Sequence, residues 1–379
     1  MHIHEVKAKS ILRTQKKIDS WFLSRYGMNL YRGCTHNCIY CDGRNEKYQV
    51  TGDFGSEVKV KINAPDLIRK ELSAKIRKKT LKKGFIMIGG GVGDSYQPVE
   101  KTYQLTRKIL QCLLPFELPI HILTKSTMVT RDLDVLHQLK EHNKLIISFS
   151  FSSTNNHISK FLEPGVPPPS ERLNTIQQLK KEGFACGVFL VPIIPFLTDT
   201  KQILTQTIED LSEIGVDFII FGGLTLKNGI QKTYFYNKLQ TQYPDLLPQY
   251  DLIYKNNLYG NALSSYQQSL NESFTSIMKH YSIPLRIPPF LYTDILDEND
   301  RIIVILEHLD YLLRIQGKKT PYGYAAYQLS KISKPLSNIK YKLRNIKGIG
   351  PVTERLILNI LETGSSQYYE KVLYQNKIA

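Results

Sequence analysis

Short apolar runs alternate with amphipathic stretches from the first cysteine to about residue 225. The amphipathic stretches place apolar residues at the three- and four-residue spacing of a helix. Strands that alternate with helices of about 10 to 18 residues indicate βαβ units and a parallel sheet. The pattern predicts six strands, at Met28–Tyr31, Phe85–Ile88, Ile120–Thr124, Leu145–Phe149, Cys186–Val191 and Phe218–Phe221.

Five helices are predicted between these strands, and each follows a proline or a polar capping residue. They cover approximately Asp66–Lys83, Glu100–Leu113, Asp132–His142, Ser170–Glu182 and Lys201–Ile214. Six strand–helix units are too few to close an eight-stranded barrel. We therefore expect an α/β fold, a partial (β/α)6 barrel of the TIM type, with its chemistry at the carboxyl ends of the strands.

The alternation stops beyond residue 225. Residues 226–290 show no regular period, whereas residues 299–315 have the spacing of one amphipathic helix. Residues 318–323 break that pattern, and the last 49 residues form a small helical unit. The expected organisation is a barrel domain over residues 1–290, a helical extension and linker over 291–330, and a small all-α domain over 331–379.

Composition narrows the class of protein. No run of about 18 apolar residues occurs, so we expect no membrane-spanning helix and no membrane partner. Fifty Lys and Arg against 34 Asp and Glu give a net charge of +16, which favours an anionic partner, nucleic acid first. Five cysteines, three of them within eight residues, argue against a disulfide framework and indicate a reduced, cytoplasmic protein.

Cys34, Cys38 and Cys41 are separated by three and two residues, directly after the first predicted strand. Three thiolates at this spacing can ligate three irons of a cubane and leave the fourth iron open to a small chelating ligand. A zinc site of the three cysteines and His36 is the alternative, but closed zinc sites usually combine two separated pairs of Cys or His. The spacing favours a [4Fe–4S] cluster. The other two cysteines are expected to be buried apolar residues.

The sequence around these cysteines resembles the signature of the radical S-adenosylmethionine (SAM) superfamily, including an aromatic residue, Tyr40, before the third cysteine. Other segments resemble the spore-photoproduct-lyase-like branch: Tyr31–Cys34, Gly93–Glu100, Leu123–Ser126, Glu163–Gly165 and Glu171–Leu173. The resemblance implies that the open iron binds SAM and that a 5′-deoxyadenosyl radical formed from SAM abstracts hydrogen from a substrate. It also implies a reducing electron donor such as flavodoxin or ferredoxin.

Candidates for holding SAM lie at the ends of the predicted strands. They are Gly89, Gly90, Gly91, Asp94, Lys125, Ser126, Ser148, Ser150 and Arg172. The three glycines follow the second strand, where the absence of a side chain permits close approach to a ligand. A simple glycine turn is the alternative, and the spacing of a dinucleotide-binding loop is missing.

The remaining candidates are polar. Lys125 and Ser126 end the third strand, where a cation and a hydroxyl can hold the SAM carboxylate. The two serines of the fourth strand are two residues apart, so they face the same side. Arg172 lies near a helix start and can pair with Glu163. A solvated lysine, hydroxyls that satisfy nearby backbone groups, and a structural ion pair are the alternatives.

Two positions depart from the pattern of spore photoproduct lyases. Those enzymes carry a hydrogen-donating cysteine in the loop after the second strand, where this chain has Gly91–Asp94. They also carry a tyrosine directly after the third cluster cysteine, where this chain has Asp42. Tyr40 remains as the candidate catalytic side chain. We therefore expect hydrogen abstraction from another nucleic-acid or peptide target rather than thymine-dimer reversal by the same route.

The last 49 residues carry nine Lys or Arg and three Glu, a net charge of +6. Residues 343–356 resemble a helix–hairpin–helix element, with a hairpin at Lys347–Gly350 and a second helix begun by Pro351. Glycines let a backbone approach a phosphate, and a helix N terminus presents free N–H groups. The candidate DNA contacts are Lys347, Gly348, Gly350, Thr353 and Arg355. A packing element or a protein-binding module is the alternative.

These features predict a radical SAM enzyme that repairs or modifies a nucleic acid. One alternative is a radical SAM enzyme with a protein or small-molecule target. Another is a non-catalytic DNA-binding protein with a structural iron–sulfur or zinc site. A purely structural cluster would need neither the glycine loop nor Lys125 at neighbouring strand ends, which argues against the last hypothesis.

Overall fold

The computed structural model describes residues 2–48, 52, 54–90, 92–255 and 259–374. Its strands are β1 His2–Val6, β2 Arg13–Asp19, β3 Ser24–Met28, β4 Tyr31–Arg32, β5 Glu57–Lys61, β6 Phe85–Ile88, β7 Ile120–Thr124, β8 Leu145–Phe151, β9 Ala185–Ile193 and β10 Phe218–Gly223. Its α-helices are α1 Ala64–Arg77, α2 Glu100–Tyr103, α3 Leu105–Leu113, α4 Leu133–His142, α5 Asn156–Leu162, α6 Pro169–Lys181, α7 Lys201–Glu213, α8 Ile230–Gln242, α9 Leu247–Ile253, α10 Ser264–Met278, α11 Glu298–Arg314, α12 Tyr322–Leu329, α13 Pro351–Thr363 and α14 Gln367–Leu373. The 3-10 helices are Asp42–Arg44, Glu46–Tyr48, Leu114–Phe116, Thr127–Asp132, Pro244–Leu246, Pro289–Leu291 and Leu336–Asn345.

A seven-stranded sheet forms the centre of the protein, in the order β10-β9-β8-β7-β6-β3-β2. The six strands from β10 to β3 are parallel, and β2 is antiparallel to β3 at the edge. Their carboxyl ends therefore meet at one edge of the sheet, where the connecting loops can build a site. The predicted partial barrel is confirmed. A smaller sheet, in the order β1-β5-β4, lies next to the cysteine segment.

The first barrel strand is Ser24–Met28, not Met28–Tyr31 as predicted. The sequence did not predict this strand because it begins with two polar residues, Ser24 and Arg25, although both are buried in the structure. The Arg25 guanidinium forms an ion pair with Asp300, so burial of this charge depends on a partner 275 residues away. Tyr31 instead begins the short strand β4, which pairs with β5.

Most predicted helices occur within a few residues of their expected bounds. The predicted helix at Glu100–Leu113 is divided into α2 and α3, because Gln104 adopts a left-handed conformation with a φ of 52°. Residues 226–290, which show no regular period, contain the three helices α8, α9 and α10. The single helix predicted at residues 299–315 is α11.

The C-terminal segments pack against the barrel in one continuous apolar core, which includes Leu356 and Leu373 from the last two helices. His308 on α11 connects these parts. Its Nε2 lies 2.9 Å from the carbonyl of Ser20, and its Nδ1 lies 2.7 Å from the Tyr369 hydroxyl. Burial lowers the pKa of His308 to about 3, so the ring is neutral and donates from Nε2 to the carbonyl. No helix in the described ranges is long and apolar enough to span a membrane.

Candidate active site

The three cysteines lie in a loop that follows β4 and ends at the 3-10 helix Asp42–Arg44. Their thiols are free; those of Cys34 and Cys38 are buried, and Cys41 is partly buried. The carboxyl end of α5 holds this loop, because the Ile39 N–H donates to the Leu162 carbonyl at 2.9 Å. The sequence-local motif therefore becomes a buried thiol cluster only through contact with a distant part of the chain.

Burial raises the pKa of all three thiols, and that of Cys34 to about 12. Backbone turns keep the three cysteines near one another, because the Asn37 N–H donates to the Cys34 carbonyl and the Cys41 N–H to the Cys38 carbonyl, both at 3.3 Å. At neutral pH they are protonated unless a positive partner stabilises the thiolates. Iron ligation supplies that positive charge and releases the protons. The buried, uncrosslinked thiols therefore fit the predicted [4Fe–4S] cluster.

His36 does not fit the alternative zinc site. Its Nδ1 lies 2.9 Å from the Gly165 carbonyl, and its Nε2 lies 3.1 Å from Asp94 Oδ2. Both ring nitrogens are thus engaged with oxygen atoms of the protein rather than left open for a metal. Among the described residues, no three Cys, His, Asp or Glu side chains form a group that could hold a metal ion. A cubane differs from zinc in this respect, because each thiolate binds a separate iron.

A buried carboxylate, Glu163, lies at the centre of a polar network beside the cysteine loop. Its Oε1 accepts from Lys125 Nζ at 2.8 Å and from the Tyr40 hydroxyl. Its Oε2 accepts from an Arg172 guanidinium N–H at 2.7 Å and from the Ser159 hydroxyl at 3.2 Å. Burial alone would raise the pKa of Glu163, but Lys125 and Arg172 lower it to about 2. The carboxylate is therefore ionised throughout the neutral range.

Lys125 is the candidate that is best placed to meet an anionic ligand. Besides Glu163, its ammonium contacts the Ser150 hydroxyl at 3.1 Å and the Ser150 carbonyl at 3.3 Å, and it lies 5.7 Å from the centre of the Tyr40 ring. Arg172 is fully buried and donates to the same Ser150 carbonyl at 2.7 Å. Arg172 thus binds Glu163 and the end of β8 from a fully buried position. The Lys125 side chain, by contrast, is 14% exposed.

Asp94 connects the loop after β6 to the end of β7 and to the cysteine loop. Its carboxylate accepts from the Thr124 hydroxyl and the Tyr96 N–H, both at 2.8 Å, and from the Lys125 N–H at 2.6 Å. It also accepts from His36. Burial alone would raise the pKa of Asp94, but His36 and then the N–H groups of Lys125 and Tyr96 lower it. Both oxygens of Asp94 are thus engaged by protein donors, and we propose that Asp94 positions the cysteine loop.

We expect Asp94→Asn to weaken retention of the cluster and to destabilise the protein by about 2–3 kcal/mol, because the amide –NH2 would face donors that now meet a carboxylate oxygen. Anaerobic iron analysis and urea unfolding measure the two effects. Asp245→Asn, at an exposed position in the 3-10 helix Pro244–Leu246, is the matched control. Iron content equal to that of the wild type after repeated gel filtration would contradict the assigned role.

The glycines after β6 serve close packing where the structure describes them. Gly89 has a φ of +84°, and a Cβ there would lie 2.3 Å from the Leu123 carbonyl oxygen on β7. A Cβ at Gly90 would meet the Met87 side chain at 2.4 Å. Gly91 lies outside the described residues. Gly89 thus permits close approach of two strand ends, and a role for these glycines in binding SAM stays a prediction.

Two of the predicted serines are engaged away from the network. The Ser126 hydroxyl caps the 3-10 helix that follows β7 by accepting from the Met128 N–H at 3.2 Å. Ser148 is fully buried, and its hydroxyl lies 2.8 Å from Nε2 of His121. Burial lowers the pKa of His121 to about 4, so this ring is neutral and Nε2 accepts. Of the two candidate serines on β8, Ser150 contacts Lys125, whereas Ser148 contacts His121.

Glu163 is the main residue of the network that sequence reasoning missed as a site residue, because the sequence suggested it only as a partner of Arg172. Ser159, four residues earlier on α5, was not singled out at all. The available signal was the glutamate before Pro164 and Gly165, in a segment of the family resemblance. Its contact with Lys125 and Tyr40 has no local sequence signal.

The predicted helix–hairpin–helix segment contains only the second of its two expected α-helices. A 3-10 helix, Leu336–Asn345, stands in place of the first α-helix and is kinked at Ile339, whereas α13 begins after Gly350 as predicted. Gly348 has a φ of +89° and lies against the Tyr324 ring. The five candidates differ in accessibility: Lys347, Gly348, Gly350 and Arg355 are exposed, and Thr353 is buried.

The family model described as Radical SAM superfamily matches residues 28–211. An uncharacterized protein of Methanocaldococcus jannaschii is 30% identical over 247 residues, which cover 65% of this chain and 85% of that protein. An uncharacterized protein of Mycobacterium tuberculosis is 28% identical over 284 residues, covering 74% and 81%. The radical SAM Nalpha-GlyT isomerase of Pseudomonas phage M6 is 22% identical over 189 residues, covering 49% and 36%.

Solved structures of spore photoproduct lyase share the fold. The complex with dinucleoside spore photoproduct superposes with a TM-score of 0.56 at 15% identity, covering 74% of this chain and 79% of that one. A double mutant with bound AdoMet and the same photoproduct has a TM-score of 0.55 at 17% identity, with the same coverage. Cysteine spacing, partial barrel and sequence similarity agree: the chain belongs to the radical SAM superfamily, whose members use a [4Fe–4S] cluster and SAM, and it is a radical SAM enzyme.

Proposed function

We propose that this enzyme abstracts a hydrogen atom from a base or sugar of a nucleic acid, in DNA repair or modification. The observation that carries the proposal is the exposure of cations around the start of α13. Lys347 and Arg355 are both exposed there, in a segment with a net charge of +6. Cations beside a helix N terminus suit the phosphate backbone of a nucleic acid. The shared fold with a protein solved with a dinucleoside photoproduct supports the same substrate class.

We also propose roles for the site residues, which the contacts described above support. Cys34, Cys38 and Cys41 hold the cluster, and Lys125 binds the carboxylate of SAM. When bound, the two cofactors together supply the carbon-centred radical that takes hydrogen from the substrate. Glu163 fixes the positions of Lys125 and Tyr40, because each donates to its Oε1.

Isotope transfer tests the proposed substrate class. Defined oligodeoxynucleotides carrying deuterium at base or sugar positions would be incubated anaerobically with the reconstituted enzyme, dithionite and SAM. We expect 5′-deoxyadenosine that is heavier by one deuterium for at least one labelled position. Unlabelled 5′-deoxyadenosine with every oligonucleotide, at a rate no higher than without substrate, would exclude this class and favour a protein or small-molecule target. Cys38→Ala measures the background.

We expect the double variant Lys347→Gln and Arg355→Gln to bind duplex DNA less tightly and with a weaker salt dependence. The slope of log K against log salt is negative, and each lost phosphate contact reduces its magnitude by about 0.9. Fluorescence anisotropy across a salt series measures it. Deleting the segment is a poorer test, because Leu356 and Leu373 belong to the core shared with the barrel.

Lys371→Gln is the control for the tail variant, because Lys371 is exposed on α14 rather than beside the start of α13. It should leave the slope at the wild-type value. If the double variant also keeps the wild-type slope, the exposed cations beside α13 do not contact phosphates.

A further inference from the structure

A cleft of about 640 Å³ lies beside the cysteine loop, on the side of the small sheet. Its lining includes Gly33 and Asp42, which are the chain neighbours of Cys34 and Cys41. Gly90, in the loop after β6, lines it as well. The cleft is thus bounded by the segment that carries the cluster ligands, and its volume suffices for a nucleotide-sized group.

Four cations from four separate places in the chain line this cleft: Arg13 on β2, Arg32 on β4, Lys47, and Lys61 on β5. Among the residues that the structure describes, its lining contains one carboxylate, that of Asp42. The topology, not a local basic run, brings these cations together. Among the described residues, the wall of the cleft therefore carries four cations and one carboxylate.

The carboxylate of Asp42 already has protein partners. Asp42 accepts from Lys227 Nζ through Oδ1 and from the Tyr48 hydroxyl at 2.7 Å through Oδ2, and Lys47 Nζ lies 3.6 Å from Oδ2. In the part of the chain that the structure describes, Arg13, Arg32 and Lys61 have no carboxylate within ion-pair distance.

Lys61 and Arg32 are close enough to oppose each other. The Lys61 ammonium donates to the Asn29 carbonyl at 2.6 Å, which fixes it at the cleft wall. Burial, and then the nearby Arg32 charge, lower the pKa of Lys61. Two cations held together without a counter-ion destabilise each other, and a bound anion would remove that repulsion. Arginine adds a planar pair of donors that matches phosphate oxygens.

We propose that Arg13, Arg32 and Lys61 form a phosphodiester subsite that seats a nucleic-acid strand next to the cluster loop. This inference rests on the proposed function and deepens it: the cations at α13 would bind the polyanion remotely, and the cleft would place one phosphate near the reacting centre. Placement of the reacting group close to the cofactors is what raises the rate in this type of chemistry.

The test uses the full-length, reconstituted enzyme and a fluorescein-labelled single-stranded oligodeoxynucleotide of 20 residues. Binding is measured over a salt series for the wild type, for Arg13→Gln with Lys61→Gln, and for Arg32→Gln alone. We expect the magnitude of the slope of log K against log salt to decrease by about 0.7 for each contact removed, because that is the counterion release per phosphate on a single strand. Lys70→Gln with Lys83→Gln removes two exposed charges elsewhere and is expected to keep the wild-type slope.

The outcomes separate this inference from the proposed function. Wild-type binding with an unchanged slope in both cleft variants would overturn the subsite and leave the proposed function standing. No salt-dependent binding by the wild type would overturn both. Iron content is measured for each variant, and SAM binding by equilibrium dialysis. Loss of iron, or weaker SAM binding with an unchanged slope, would assign these cations to the cluster loop or the cofactor and overturn the subsite.

Discussion

Replacing Cys38 by alanine is expected to abolish SAM cleavage and to lower the iron content of the reconstituted protein. A three-thiolate site that loses one ligand exposes a second iron, and the cluster is no longer held at each of its three protein-bound corners. We expect production of 5′-deoxyadenosine to fall by at least about 10³-fold, to the rate without enzyme. Anaerobic iron and sulfide analysis, the visible absorption of the cluster and chromatography of 5′-deoxyadenosine measure the effect.

Cys112→Ala is the matched control. Cys112 lies on α3, where it is buried against the core and its thiol lies 3.7 Å from the Pro65 carbonyl. Its loss should reduce stability by about 1 kcal/mol and leave the iron content at about four per chain. A Cys38 variant that retained four irons and normal SAM cleavage would show that the three-cysteine loop does not hold the cluster.

Glu163→Gln is expected to reduce SAM cleavage by about 100-fold and to destabilise the protein by about 3–5 kcal/mol. The substitution keeps the shape but removes the charge that Lys125 and Arg172 share, and breaking a buried ion pair leaves its cations uncompensated. Lys125 would then lose its fixed position, so the binding of SAM should weaken. Urea unfolding and steady-state kinetics with varied SAM measure the two losses.

The stability loss should depend on pH in a defined direction. The folded-state pKa of Glu163 is about 2, below its ordinary value of 4.5. Its contribution to stability is therefore complete above pH 4.5 and is lost as the pH falls towards 2. The difference in unfolding free energy between the wild type and Glu163→Gln should be constant near neutral pH and shrink below pH 4.5.

Glu171→Gln provides the control for this series, because Glu171 is exposed on α6, one residue before Arg172. Its effect on stability should stay within about 0.5 kcal/mol. If Glu163→Gln were equally mild at pH 7, or if its difference from the wild type grew in acid, the ion-pair network would not carry the stability assigned to it.

Part of the fold was predictable because its signals are local. The bounds of β6 and β7 follow from short, mostly apolar runs, which are typical of strands buried on both faces. The barrel's first strand was misplaced, since buried Arg25 reads as a surface residue until Asp300 is seen beside it. The helices α8 to α10 escaped prediction because their segment, rich in Asn, Gln and Tyr, lacks a clear apolar period.

The sequence by itself determined the family and the cofactors, since ligand spacing in Cys34-x3-Cys38-x2-Cys41 is a property of one short loop. Only the tertiary structure decided which polar residues meet. Glu163 contacts Lys125 across 38 residues and Tyr40 across 123. Parallel strands end at a common edge, so residues that are distant in sequence become neighbours there. Burial then strengthens each charge pair. The tertiary structure also brings four cations that are distant in sequence, Arg13, Arg32, Lys47 and Lys61, to one cleft beside the cysteine loop, because the edge strand β2 and the small sheet meet there.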